Sequence, residues 1–308
     1  MRWTLDSMPD QTGRTVLVTG ATSGLGLASA VALARAGARV LLAARQPERG
    51  KAAVDRVLRD GGPGAELVEL DLADLDSVRR AAADVRDRTG DSLHVLMNNA
   101  GVMATPPRVT VAGFELQIGT NHLGHAALTW LLMPALRGAG AARVVTLSSL
   151  AHRGGGLVVD DLHFARRPYL ASRAYSQSKL ANLLFAIELD RRLRTEGSDV
   201  ISVAAHPGVT GTELFANSMR HRNGLLATLT APLTTLFTQN VRTGVLPQLY
   251  AATAPQVRGG DYIGPGGIAE FAGHPAPARR SATAQDEDLA RRLWDETAAA
   301  TAVRPDPA

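Results

Sequence analysis

Short apolar runs alternate with longer stretches of helical period along most of the chain. The runs TVLVTG, RVLLAAR, AELVELDL, LHVLMNNAG, ARVVTLSS and DVISVAAHPG read as strands, and GDYIG reads as a further one. They do not alternate apolar with polar residues. That is the pattern of strands covered on both faces, as in a parallel sheet between two layers of helix. Between them, helical spacing of apolar positions predicts helices over residues 25–36, 48–59, 75–88, 114–136 and 174–194. Strand and helix in regular alternation imply right-handed crossovers, hence an α/β fold: one doubly wound parallel sheet of about seven strands with helices on both faces, in a single domain. Past residue 270, AGHPAPARRSATAQDED is polar and rich in Pro and Ala, and reads as a surface excursion. EDLARRLWDET then predicts a terminal helix with Leu289, Leu293 and Trp294 on its apolar face. On this reading residues 12–265 form the core and 270–308 an extension.

Composition removes alternatives. A chain of 308 residues buries a large core without covalent staples. Cysteine is absent, which excludes disulfides, thiolate metal sites and a thiol nucleophile and suits a reducing cytoplasm. No metal site is expected. The net charge is +4, and the arginines are scattered along helices instead of forming a stripe, so no nucleic-acid partner is expected. The opening MRWTLDSMPDQTGRT has no signal-peptide apolar region, and HAALTWLLMPAL is too short to cross a bilayer. The expectation is a cytoplasmic protein with no membrane span.

In open sheets of this kind, ligands bind beyond the carboxyl ends of the strands. The residues there are unusual. After the first strand, TGATSGLG places Gly20, Gly24 and Gly26 in a tight turn before a helix, with Thr22, Ser23 and Leu25 between them. Free N–H groups and the positive end of the helix dipole would face a pyrophosphate. After the second strand, an acid that would hold adenosine ribose hydroxyls is missing; Ala44 and then Arg45 occupy the place. A guanidinium there pairs with a 2′-phosphate, which favours NADP(H) over NAD(H). Asp71 and Leu72 end the third strand, where Asp71 either meets an adenine or caps the next helix. NNAG, Asn98 to Gly101 with Ala100 between, ends the fourth strand in a form that lets backbone touch a ligand.

These features resemble the short-chain dehydrogenases/reductases, a family with a Rossmann-type fold. The resemblance runs over roughly residues 12–265 and rests on six motifs in order: Thr-Gly-x-x-x-Gly-x-Gly at 19–26, Asn-Asn-Ala-Gly at 98–101, Asn121 in GTNHLGH, Ser148-Ser149, Tyr175-x-x-x-Lys179 and HPGVTGT at 206–212. SSLAH, then a long insertion before AYSQSKLANLLF, looks like the branch of retinol dehydrogenases and protochlorophyllide reductases, in a soluble bacterial form.

The resemblance implies a catalytic set of Asn121, Ser149, Tyr175 and Lys179. Tyr175 and Lys179 share a helix face at i, i+4. A free tyrosine is a poor acid or base near neutrality, and an ammonium together with an oxidised nicotinamide would favour its phenolate. Tyr175 then works as general acid toward a carbonyl, or as base in reverse. Lys179 would also hold the nicotinamide ribose, while Asn121 would break the local hydrogen-bond ladder of its helix and hold a water that reaches the lysine. Neither serine reads as a nucleophile: Gly-x-Ser-x-Gly is missing, and nearby His152 has no evident acid partner. Strand alternation lets one serine face the site, and the family pattern selects Ser149. Pro207, Gly208, Val209 and Thr212 would hold the nicotinamide carboxamide, with His206 structural. The apolar segment 212–240 reads as a lid over a small hydrophobic carbonyl or alcohol substrate, and serves equally as a face between subunits of a homo-oligomer. The expected activity is NADP(H)-dependent carbonyl–alcohol interconversion. A double-bond reductase and a non-catalytic NADP(H) sensor are the alternatives.

Overall fold

The computed structural model describes residues 2–62, 64–209 and 241–308. The lid segment and Thr212 therefore lie outside the described residues.

Eight strands form one sheet in the order β3-β2-β1-β4-β5-β6-β7-β8. They are β1 (Thr15–Thr19), β2 (Arg39–Ala44), β3 (Ala65–Glu69), β4 (Val95–Asn98), β5 (Arg143–Leu147), β6 (Ile201–Ala205), β7 (Tyr262–Pro265) and β8 (Pro275–Pro277). All neighbours pair in parallel except β7 and β8. The eighth strand corrects the expected surface excursion. HPAP pairs antiparallel with β7 at the sheet edge, the place where prolines, lacking an N–H, are tolerated.

The unbroken apolar runs follow from double coverage. Val16, Leu17 and Val18 are all fully buried, with Leu17 in one hydrophobic cluster and its two neighbours in the other. Helices α1 (Gly24–Arg35) and α2 (Pro47–Asp60) supply one face. Helices α3 (Leu75–Thr89), α4 (Gly124–Ala139) and α5 (Ala171–Thr195) supply the other. A further helix, α6 (Leu246–Thr253), packs on the first face. Among the described residues, no helix is long and apolar enough to cross a membrane.

The helix predicted over 114–136 is interrupted. A single turn at Leu116–Ile118 leads into a π-helical segment, Gly119–Leu123, and only then into α4. The Gly124 N–H reaches back five residues to the Gly119 carbonyl. The cause is polar: the Asn121 side chain is taken up outside the helix, accepting the Val102 N–H at 2.8 Å and donating to the Val102 carbonyl at 2.9 Å. Apolar period alone carries no trace of such a bulge.

The terminal helix α7 (Glu287–Thr301) is anchored by Trp294. Its ring stacks on Phe185 at 5.4 Å and meets the edge of Trp130 at 4.9 Å. Leu293 is buried beside it, and Leu289 packs at the margin of a third cluster. Trp294→Ala is expected to cost about 3–5 kcal/mol, as for other large-to-small core changes. Urea unfolding of the two proteins checks this; a loss under about 1 kcal/mol would show that α7 is peripheral to the core.

Candidate active site

The glycine turn is shaped by close approach. A Cβ at Gly20 would lie 2.8 Å from the Ala100 Cα, and one at Gly26 only 2.4 Å from the Gly20 carbonyl oxygen. Gly20 also has φ +65°, the left-handed region. These two positions let the end of β1, the end of β4 and the start of α1 converge. Ser23 is the N-cap of α1 but makes no side-chain capping bond. The first N–H groups of the helix thus border a cleft of about 330 Å³. Gly20, Thr22, Ser23, Gly24, Leu25 and Gly26 line it, as do Arg45, Asp71, Leu72, Ala100 and Gly101. A cradle that a side chain would fill, against an uncapped helix N-terminus, fits the pyrophosphate of a dinucleotide.

The structure refines three details of the sequence reading. Asn98 is turned into the core, donating to Thr129 Oγ1 at 2.9 Å, and Asn99 lines the cleft in its place. Strand alternation is the signal that could have separated these two neighbours. Asp71 does not cap α3: Asp74 does, by accepting the Asp76 N–H, while Asp71 accepts the Ala73 N–H at 2.9 Å from within the cleft lining. Gln46 and Arg49 join Arg45 at the end of β2. The i, i+4 spacing of the two arginines was the available signal.

The cleft ends at Gly101, Val102 and Thr120, and there the proposed catalytic residues begin. A Cβ on Gly101 would lie 3.2 Å from Asn121 Oδ1 and 3.5 Å from Lys179 Nζ. Asn121 Nδ2 also donates to Ser178 Oγ at 2.9 Å. The two serines separate as strand geometry requires. Ser148 Oγ points into the core and donates to the Lys179 carbonyl at 2.8 Å. Ser149 caps the short turn Leu150–Gly154, its hydroxyl accepting the Ala151 N–H at 3.2 Å, and its side chain is near enough to Tyr175 to favour the phenolate. His152 gives its Nδ1–H to the Ser149 carbonyl at 2.7 Å, so the imidazole is not a base aimed at the serine hydroxyl.

Lys179 Nζ donates to the Leu147 carbonyl at 3.1 Å and sits 5.8 Å from the centre of the Tyr175 ring. Burial lowers the lysine to about 8. Burial also pushes Tyr175 up to about 12, against the opposing pull of the nearby Ser149 side chain. The lowered tyrosine expected from sequence depends on Lys179 and an oxidised nicotinamide together; in the protein alone, loss of solvation dominates. His206 is enclosed and held neutral by burial, at about 4. Its Nδ1 accepts the Gly208 N–H, and Nε2 donates to Glu270 at 3.0 Å. Gly208 has φ +73° and Val209 bonds the Phe271 carbonyl, so Pro207 to Val209 forms a turn fixed to the segment after β7.

Residues 14–223 match the short chain dehydrogenase family profile. The chain belongs to that family. This short-chain dehydrogenase is 42% identical over 294 residues to the polyprenol dehydrogenase of Mus musculus, covering 94% of this chain and 84% of that protein. It is 40% identical to human (Homo sapiens) retinol dehydrogenase 13, covering 93% and 84%. A crystal structure of a protein from Mycobacterium paratuberculosis superposes with TM-score 0.81 at 41% identity, covering 99% of both chains. A candidate NAD(P)-dependent gluconate 5-dehydrogenase from Beutenbergia cavernae, solved with NADP bound, superposes with TM-score 0.65 at 27% identity, covering 82% of this chain and 96% of that one. The short-chain dehydrogenase is thus an NAD(P)-dependent oxidoreductase of the retinol-dehydrogenase-like branch.

Burial of Lys179 has a measurable consequence. Its folded value of about 8 lies below its ordinary 10.5, so between these values the unfolded chain holds a proton that the folded chain has released. Stability from this group therefore rises with pH across that window. Lys179→Met should remove the rise. In the cofactor-free protein, the stability advantage of the methionine variant over wild type should shrink by on the order of 2 kcal/mol from pH 8 to 10. Denaturant midpoints at the two pH values decide it; a constant difference would place the ammonium in water.

Proposed function

We propose that the protein interconverts a lipophilic ketone or aldehyde and its alcohol, using NADP(H). The observation that carries this reading is Tyr175, with Ser149 near it, beside Lys179 and Asn121 where the glycine-lined cleft ends. Bound in that cleft, the cofactor supplies or accepts the hydride at the substrate carbon. The chain's own groups handle the oxygen. Ser149 donates a hydrogen bond to it, and Tyr175 delivers its proton as the carbonyl electron pair moves onto oxygen. With its proton held at neutral pH by burial, Tyr175 is poised as a general acid. In the reverse direction the Lys179 ammonium steadies the phenolate. Lys179 would also hold the nicotinamide ribose, and Asn121 a water beside the lysine. Pro207, Gly208, Val209 and Thr212 are assigned to the carboxamide.

The NADP(H) preference is supported by two arginines, Arg45 and Arg49, lining the cleft just past β2, where an acid would be needed for an unphosphorylated ribose. A lipophilic substrate is supported by relatives named for polyprenol and retinol and by the leucines and phenylalanines of 212–240.

Tyr175→Phe removes one oxygen and keeps the ring. Turnover on a panel of ketones and aldehydes should fall by at least about 10²-fold, with an unchanged NADPH dissociation constant. Near wild-type turnover would reject this mechanism, and a wild type that binds NADPH yet reduces nothing would be a sensor. For cofactor choice, Arg45→Ala should lower the NADPH-over-NADH preference in KM by about 10- to 100-fold, the worth of a charge-assisted contact. A wild type that prefers NADH would overturn the assignment.

A further inference from the structure

His125 has no part in the mechanism above, yet it is enclosed between the two halves of the site, the whole residue only 1% exposed. Its Nδ1 lies 2.9 Å from the Asn121 carbonyl oxygen, and its Nε2 lies 2.9 Å from Thr19 Oγ1. A carbonyl can only accept, so Nδ1 carries the proton and Nε2 is bare. The Thr19 hydroxyl must then donate to Nε2. Its other oxygen-borne contact, 3.3 Å to the Met97 carbonyl, competes for the same single proton at longer range. Thr19 Oγ1 in turn accepts the N–H groups of Asn99 at 2.9 Å and Ala100 at 3.0 Å. One directed chain thus runs from the backbone at the end of β4, through Thr19 and the imidazole, to the backbone of the π segment.

Each end of that chain touches a different function. Thr19 immediately precedes Gly20, so its hydroxyl sets where the turn that faces the phosphates begins. Asn121 stands beside Lys179 and fixes both polar atoms of Val102. We propose that His125 is a positioning residue that, as the Nδ1–H tautomer, ties the phosphate-side turn to the Asn121–Lys179 side of the centre. What that centre does rests on the function proposed above; that the ring joins the two sides does not. Burial holds the imidazole at about 4, with the nearby Lys179 charge acting in the same direction, so the ring stays neutral and the tautomer is stable through the neutral range.

The two ring nitrogens can be separated by substitution. An asparagine amide overlays Nδ1 and keeps a donor for the Asn121 carbonyl; a glutamine amide overlays Nε2 and keeps an acceptor for Thr19. His125→Asn should raise the NADPH dissociation constant about five- to tenfold, the value of one buried hydrogen bond, and leave kcat within about threefold. His125→Gln should do the reverse, lowering kcat about tenfold with near wild-type NADPH affinity. Nitrogen-15 NMR of the cofactor-free wild type should show a protonated Nδ1 and a bare Nε2 on His125. The opposite tautomer overturns the proposal. So do equal changes in kcat and NADPH affinity for the two variants, or no change in either, since a ring that merely fills space would treat them alike. A wild type that turns over no carbonyl would fail the proposed function, while NADPH titration and the NMR signature would still decide the role of His125.

Discussion

The close meeting of β1 and β4 at their carboxyl ends is the constraint on which the site depends. Asn99 Nδ2 donates to the Thr19 carbonyl at 2.7 Å, and the Thr19 hydroxyl receives two backbone N–H groups from the far side. Two strands joined this tightly leave no volume for side chains at Gly20 and Gly26. Bare backbone is therefore what the first turn offers to a ligand. Van der Waals exclusion, more than any single attractive contact, makes the cleft a phosphate-sized cradle.

From that junction the rest of the site is placed by strand order. β1 and β4 lie at the centre of the sheet, where crossovers leave on opposite faces, with β2 and β3 on one side and β5 to β8 on the other. The β2 and β3 ends bring Arg45 and Asp71 to one flank of the cleft. The β5 end brings Ser149, and α5 packs behind it to bring Tyr175 and Lys179. The charged strand ends at Arg45 and Asp71 are thus separated along the sheet from the cluster of Ser149, Tyr175 and Lys179.

Much of this was legible in the chain because it depends on local pattern. Continuous apolar runs such as TVLVT record two-faced burial, and the glycines at 20 and 26 record a backbone that must approach another. The i, i+4 spacing of Tyr175 and Lys179 fixed their shared helix face. What stayed hidden depends on contacts between distant segments. The ladder break at Asn121 was expected, but its partner, Val102, lies nineteen positions away and left no mark in the sequence. The edge strand at Pro275–Pro277 exists because β7 offers an unpaired ladder, and no propensity of HPAP announces it. The high proton affinity of Tyr175 reflects enclosure by many elements at once, where sequence shows only the neighbouring lysine.

The contact between β5 and α5 has a mechanical side. The Leu147 carbonyl accepts from both Lys179 Nζ and Asn182 Nδ2, at 3.1 and 3.0 Å, using both its lone pairs. One residue on, Ser148 grips the Lys179 carbonyl. The helix is held at two consecutive positions of the strand, through side chain and backbone of the same lysine, so it can neither slide along its axis nor roll about it without breaking buried bonds. The hydroxyl of Tyr175 and the amine of Lys179 consequently behave as fixed points of a rigid wall. Any rearrangement of the described residues at this end of the sheet has to be carried by elements other than α5.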